Sequence, residues 1–126
     1  MSQPGRPIKV PLELSEPEAL GELTRQVFFS PATTHNRYQK FAVVKGTPGV
    51  KGAVHTHLGE EVVYTISGRC VLRIDDVDHL LEPGTAFLIP PDTEHPATVV
   101  GDETWFAVAA YCDECVLMKE FRGRAT

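Results

Sequence analysis

The sequence predicts a single all-β domain, an antiparallel sandwich or barrel preceded by one short helix. Three observations point there. At 126 residues the chain is one domain's worth, long enough to bury a core without disulfides. Ten prolines and ten glycines divide it into short runs. Those runs alternate between faces at the two-residue period of a strand.

The helix is expected first, in "SEPEALGELTRQV". Ser15 and Glu18 have the spacing of a capping box, and Pro17 is tolerated in a first turn. Leu20, Leu23 and Val27 follow at helical spacing, with Gly21 as an internal weak point. Strands are then expected in "QVFFS", "RYQKFAVVKG", "AVHTH", "EEVVYTIS", "RCVLRID", "DHLLE", "TAFLIP", "HPATVV", "TWFAVAAY" and "CVLMKEF". Turn material separates them, including "GTPGVKG", "DDV", "EPG", "PPDT" and "GDE". In "EEVVYTIS", Glu61, Val63, Thr65 and Ser67 share one face, while Val62, Tyr64 and Ile66 share the other. Both faces carry apolar groups. A barrel covers one of them with its own core, so the other needs the N-terminal segment or a second subunit, and a homodimer is expected.

Composition narrows the function. A net charge of −5 argues against nucleic acid or an anionic membrane as the main partner. No apolar run has transmembrane length, and "MSQPGRPIKVPLEL" lacks the apolar core of a signal peptide, so a cytoplasmic protein is expected. Cys70, Cys112 and Cys115 suit a reducing compartment. Cys112 and Cys115 form a C-x-x-C inside a strand-like stretch, where i and i+3 point to opposite faces. They read as buried, inert thiols.

The chemistry lies in "GAVHTHLGEEVVYTISG". His55 and His57 leave the same face of a strand about 7 Å apart, close enough to converge on one ion. A straight strand would carry Glu61 about 13 Å beyond His57. It joins them only if the chain bends at Leu58 and Gly59, and Glu60 then faces solvent. A fourth ligand must come from another strand, and "LIPPDTEHPATVV" offers His95 after a stiff Pro90-Pro91 approach. His35 and His79 sit in polar, loop-like contexts and read as surface residues, with His35 a weaker candidate for the rim.

Residues 49–68 resemble the first cupin motif, with Gly49, His55, His57, Glu61 and Gly68 at its fixed positions. Residues 84–99 are similar to the second, with Gly84, Pro90 and His95 in place. Asp92 replaces an internal glycine of that motif, and Val99 stands where an asparagine is expected. The resemblance implies a single-domain cupin jelly-roll β-barrel over residues 1–126. It also implies one divalent transition metal, held by His55, His57, Glu61 and His95 on the inner face. Such a donor set suits Fe, Mn, Ni, Co, Cu or Zn.

Four protein ligands around a six-coordinate ion leave two positions for substrate and O2. The resemblance to quercetin dioxygenase-like cupins therefore suggests a dioxygenase-type oxidation with Glu61 as a detachable base. A non-redox isomerase, cyclase or lyase is the alternative, and a small-ligand binder without turnover the second alternative. By parity, Val63, Thr65, Cys70, Leu72, Ile74, Phe87 or Leu88, Ala97 and Trp105 or Phe106 face inward. They suit a small, partly apolar organic substrate. Arg69 and Arg73 have outer-face parity.

Overall fold

The computed structural model describes residues 6–36, 40–54, 56 and 59–111. Among them, the chain opens with a 3-10 turn at Leu12–Leu14 and a strand β1 at Pro17–Leu20. It continues through β2 (Leu23–Phe29), the single helical turn α1 (Pro31–Thr34) and β3 (Lys40–Gly46). Then come β4 (Glu61–Ser67), β5 (Arg69–Ile74), β6 (Val77–Leu81), β7 (Ala86–Ile89), β8 (Ala97–Val100) and β9 (Trp105–Tyr111). The expected strand "CVLMKEF", with Cys112 and Cys115, lies outside the described residues.

The helix expected over residues 15–27 is instead a hairpin. Leu20 and Leu23 face each other across the two-residue turn Gly21-Glu22, and Glu18 pairs with Arg25. Gly21 takes φ +65°, the first-position geometry of a hairpin turn. Its α-carbon also lies so close to residues 51–53 that an added Cβ would meet the Ala53 nitrogen at 2.3 Å. Ser15, expected to cap a helix, closes the 3-10 turn, its N–H donating to the Leu12 carbonyl. The helical spacing of Leu20, Leu23 and Val27 was compatible with both forms. Pairing of β2 with β3 from Thr24 to Phe29 decides for strand, because local propensity is weak against a ladder.

The described strands form two sheets, ordered β1-β2-β3-β9-β4-β7 and β6-β5-β8. A jelly roll fits this arrangement, but among the described residues the sheets do not close into the expected barrel. The inner faces pack as a sandwich around Leu23, Val44, Val63, Leu72, Leu81, Ile89 and Val99, all buried. Each fully buried side chain of this size contributes roughly 1.5–3 kcal/mol. On one side irregular backbone stands where a ladder would close the barrel. Gly49 and Gly52 donate to the carbonyls of Val99 and Ala97, and Val99 donates back to Val50. The same segment meets the hairpin, where Glu22 N–H donates to Lys51 at 2.7 Å and Ala53 N–H to Leu20 at 3.2 Å. "AVHTH" is accordingly no strand in its described residues, Ala53, Val54 and Thr56.

Turn chemistry accounts for the remaining corners. Asp75 and Asp76 both take positive φ, 51° and 63°, which matches a two-residue hairpin between β5 and β6. Gly68 joins β4 to β5 at φ +70°, and a Cβ there would stand 2.3 Å from the Thr104 carbonyl oxygen. Inside, the Trp105 indole N–H donates to Thr65 Oγ1 at 3.2 Å, which satisfies both buried polar groups. Of the parity alternatives, Trp105 and Phe87 turn inward, Phe106 and Leu88 outward. Arg69 and Arg73 are exposed, and Arg73 pairs with Asp78 at 3.0 Å.

Cys70 is fully buried on β5, and burial pushes its thiol up from 9.0 to about 12. Folding therefore holds the proton that the unfolded chain releases. Cys70's contribution to stability is complete below about pH 9 and is lost as the pH rises toward 12. In a Cys112→Ser, Cys115→Ser background, the native protein should not react with a thiol reagent at pH 8. Urea midpoints should fall between pH 9 and 11 more steeply than in the same background with Cys70→Ala. A fast-reacting native thiol would contradict this placement.

Candidate metal centre

Glu61 opens β4, flanked on one side by Ile89 of β7 and on the other by Tyr111 of β9. Two ladders fix its register, so its side chain must leave the inner face with Val63 and Thr65. It is 12% exposed, whereas Glu60 faces solvent. A one-residue slip would exchange the two.

His95 comes from the loop between β7 and β8. Pro90 and Pro91 stiffen its start, and Asp92 takes φ 52°, the left-handed geometry its predecessor glycine in the motif would supply. Thr93 Oγ1 donates to the Pro91 carbonyl at 3.1 Å, and Arg73 N–H donates to the Pro96 carbonyl at 3.0 Å. His95 itself is 5% exposed, with Nδ1 at 2.8 Å from the Thr93 carbonyl oxygen. A carbonyl has no proton to give, so Nδ1 donates. In the neutral ring Nε2 then carries a lone pair.

That lone pair faces Glu61. Nε2 lies 3.5 Å from Glu61 Oε1, both groups nearly removed from water. With the ring neutral, two electron-pair donors this close in apolar surroundings repel each other, an opposition that a metal ion or a proton on Nε2 relieves. Imidazole nitrogen and carboxylate oxygen both ligate transition metals, and an Nδ1–H tied to a backbone carbonyl is a common way to orient a ligating histidine. The described half of the predicted ligand set therefore fits the metal. His55 and His57, the other half, lie outside the described residues. Among the described residues, no group of three His, Cys, Asp or Glu side chains comes together.

The pair opens into a cavity between the sheets. Leu20, Leu23, Val44, Val63, Leu72, Ile89, Ala97, Trp105 and Ala109 supply apolar walls, and Arg25 and Tyr111 add polar groups. Arg25 and Tyr111 were missed by the sequence reading. Arg25 fell inside the expected helix, and Tyr111 lies at the end of "WFAVAAY", on the face shared by Trp105, Ala107 and Ala109. Parity alone could have found Tyr111. His35 is exposed at the end of α1, while His79 is half-buried with its ring 5.3 Å from that of Phe87. Neither lines the cavity.

A two-sheet jelly roll with a carboxylate and a histidine facing one inner cavity defines a β-sandwich with an ionisable pair inside it. The chain belongs to the cupin family: residues 42–111 match the cupin domain model. It is 40% identical over 62 residues to the protein SchB of Streptomyces halstedii, covering 48% of this chain and 44% of that one. It is 29% identical over 94 residues to the dimethylsulfoniopropionate lyase DddW of Ruegeria pomeroyi, covering 75% and 61% respectively. The chain thus spans less than two thirds of these relatives' lengths. Among solved structures, it resembles the polyketide cyclase RemF of Streptomyces resistomycificus, with a TM-score of 0.73 at 18% identity. That match covers 88% of this chain and 82% of the cyclase.

His95→Ala should reduce bound transition metal, measured by elemental analysis of purified protein, by at least about tenfold, and His55→Ala and His57→Ala should do likewise. Glu60→Gln should leave metal content unchanged. Full metal content in His95→Ala would remove His95 from the ligand set.

Proposed function

We propose that this chain is a metal-dependent cupin enzyme that moves a proton on a small, partly apolar organic substrate, as a lyase, cyclase or isomerase does. The observation that carries the proposal is the Glu61–His95 opposition at 3.5 Å inside an apolar cavity. His55, His57, Glu61 and His95 would hold one divalent metal, which when bound supplies a Lewis acid for a substrate carbonyl or hydroxyl oxygen. Glu61 accepts the proton. Its carboxylate stands at the end of a strand locked by two neighbours, so it reaches the substrate without reorganising the backbone. His95, pinned through Nδ1, keeps its own orientation while Glu61 works. The apolar walls exclude water, which strengthens each electrostatic contact inside.

The names of two similar proteins, a lyase and a cyclase, support this non-redox reading. A dioxygenase-type oxidation is the second reading. The same four donors would leave two positions of a six-coordinate ion open, which is what substrate and O2 together require. Elemental analysis followed by assays on carbonyl compounds, dimethylsulfoniopropionate, enols and phenols separates them. Conversion without oxygen uptake is expected, with Glu61→Gln folded but slower by about 10²–10⁴-fold. Substrate-dependent oxygen uptake would favour the dioxygenase, and a fully active Glu61→Gln would refute Glu61 as base. Metal binding without any turnover would leave a ligand-binding module.

The outer face of the larger sheet supports a second proposal, that two copies associate. Val62, Tyr64, Ile66 and Leu88 are exposed there, Leu88 by 54%. Val62 and Leu88 are ladder partners, and β9 continues the surface toward exposed Phe41 through Ala110. Among the described residues, the N-terminal segment is held instead on β2, where Gln26 donates to the carbonyls of Leu12 and Ser15. A twofold contact would bury this face against itself. Light scattering should report a dimer for the wild type and a monomer for Ile66→Glu. A monomeric wild type would overturn the proposal.

A further inference from the structure

Small side chains meet at one level of the cavity. Ala109 of the larger sheet and Ala97 of the smaller both line it, and both are buried. Their ladder partners are larger, Val63 beside Ala109 and Leu72 beside Ala97, and these line the cavity as well. Away from the cavity, residues such as Leu81 and Val99 fill the space between the sheets. Facing sheets stand about 10 Å apart, which leaves the β-carbons of two opposed alanines roughly 7 Å from each other. One layer of carbon atoms touching both needs about 7–8 Å, since carbons in contact are about 3.5–4.0 Å apart. A flat ring meets that limit, and a puckered saturated ring exceeds it.

Length is set along the strands. Glu61 and Thr65 are four residues apart on β4, about 13 Å, and the Val63–Ala109 row lies midway between them. Trp105 closes the far end. It precedes Ala107 by two residues on the inner face of β9, and Ala107 is the ladder partner of Thr65. To place Nε1 at 3.2 Å from Thr65 Oγ1, the indole leans along β9 and across to β4, beside the fully buried Ala107 methyl. That bond uses the one polar atom of the ring inside the core, so Trp105 turns only apolar surface to the cavity it lines. Glu61 and His95 stand at the other end. Between the two ends lies about one ring's length of floor over Ala109, and a second fused ring would run into the indole.

We propose that the body of the substrate is a single flat, unsaturated ring, seated between Ala109 and Ala97. Its edge meets the Trp105 indole, a favoured contact between aromatic groups, and its carbonyl or hydroxyl points to Glu61 and His95. Ala109 and Ala97 then set the thickness of the substrate, and Trp105 sets its length. The inference deepens the reading of this cavity as a metal-dependent active site and rests on it.

NMR titrations of the whole chain with acetophenone, cyclohexyl methyl ketone and 2-acetonaphthone test the proposal. The chain has one tryptophan, so a single indole N–H signal reports on Trp105. The titrations are run on zinc-loaded and on chelator-treated protein. In each state that binds a ketone, acetophenone should shift the indole signal and bind at least about fivefold more tightly than the saturated and the two-ring ketones. Ala109→Leu should abolish acetophenone binding with the circular dichroism spectrum unchanged. Ala109→Gly, which thins the floor, should admit cyclohexyl methyl ketone and shrink the preference over it. Equal affinities, no binding of any ketone in either state, binding that leaves the indole signal in place, or a preference unaltered in the folded Ala109 variants would each overturn the proposal. Zinc uptake with equal ketone affinities overturns it while leaving the metal site standing. A chain that takes up no metal but keeps the preference supports the slot and refutes the metal-dependent reading.

Discussion

Two buried electron-pair donors, the Glu61 carboxylate and the His95 imidazole, face each other across 3.5 Å, and the site depends on that opposition. Water is nearly excluded from both, so their repulsion is screened little. A protein keeps such an arrangement when a positive charge completes it. The Thr93 carbonyl removes the alternative in which His95 turns its other nitrogen inward, because Nδ1 is held there at 2.8 Å. What the fold contributes is stiffness around this pair.

That stiffness has two sources of different kinds. Glu61 is positioned by regular structure: β7 and β9 pair with β4 on either side, and every inner residue of β4 inherits the register. His95 is positioned by irregular structure, a proline-led loop whose own side chains and carbonyls hold it. The two side chains therefore come from segments with separate constraints. The cavity between them has walls from both sheets.

The parts of this protein legible in the sequence were those governed by a period of two. Alternation placed Val63, Thr65, Cys70 and Leu72 inside, and all four are buried. It also separated Glu61 from Glu60. Asp92 was legible as a substitute for glycine, because aspartate tolerates the left-handed geometry it adopts. The N-terminal segment was not legible. Leu20, Leu23 and Val27 satisfy a helical spacing and a hairpin equally well. The deciding contacts, β2 on β3 and the turn on residues 51–53, are far away in sequence. Barrel closure was likewise hidden, since it depends on edges that no local pattern describes.

The misread hairpin has consequences for the site. A helix over residues 15–27 would have left the segment before His55 without its partners. As a hairpin, its turn grips that segment through three bonds: Glu22 N–H to Lys51, Lys51 N–H to the Glu22 carboxylate, and Ala53 N–H to Leu20. Gly21 permits the approach, because any side chain there would strike the backbone of residues 51–53. On the other side Gly52 is bonded to Ala97, two residues after His95. One short stretch of irregular chain thus ties together the hairpin that supplies Arg25, the approach to the two histidines of the first motif, and the strand that follows His95. Residues 49–53, bonded to the hairpin on one side and to β8 on the other, are thus where these elements meet at one cavity.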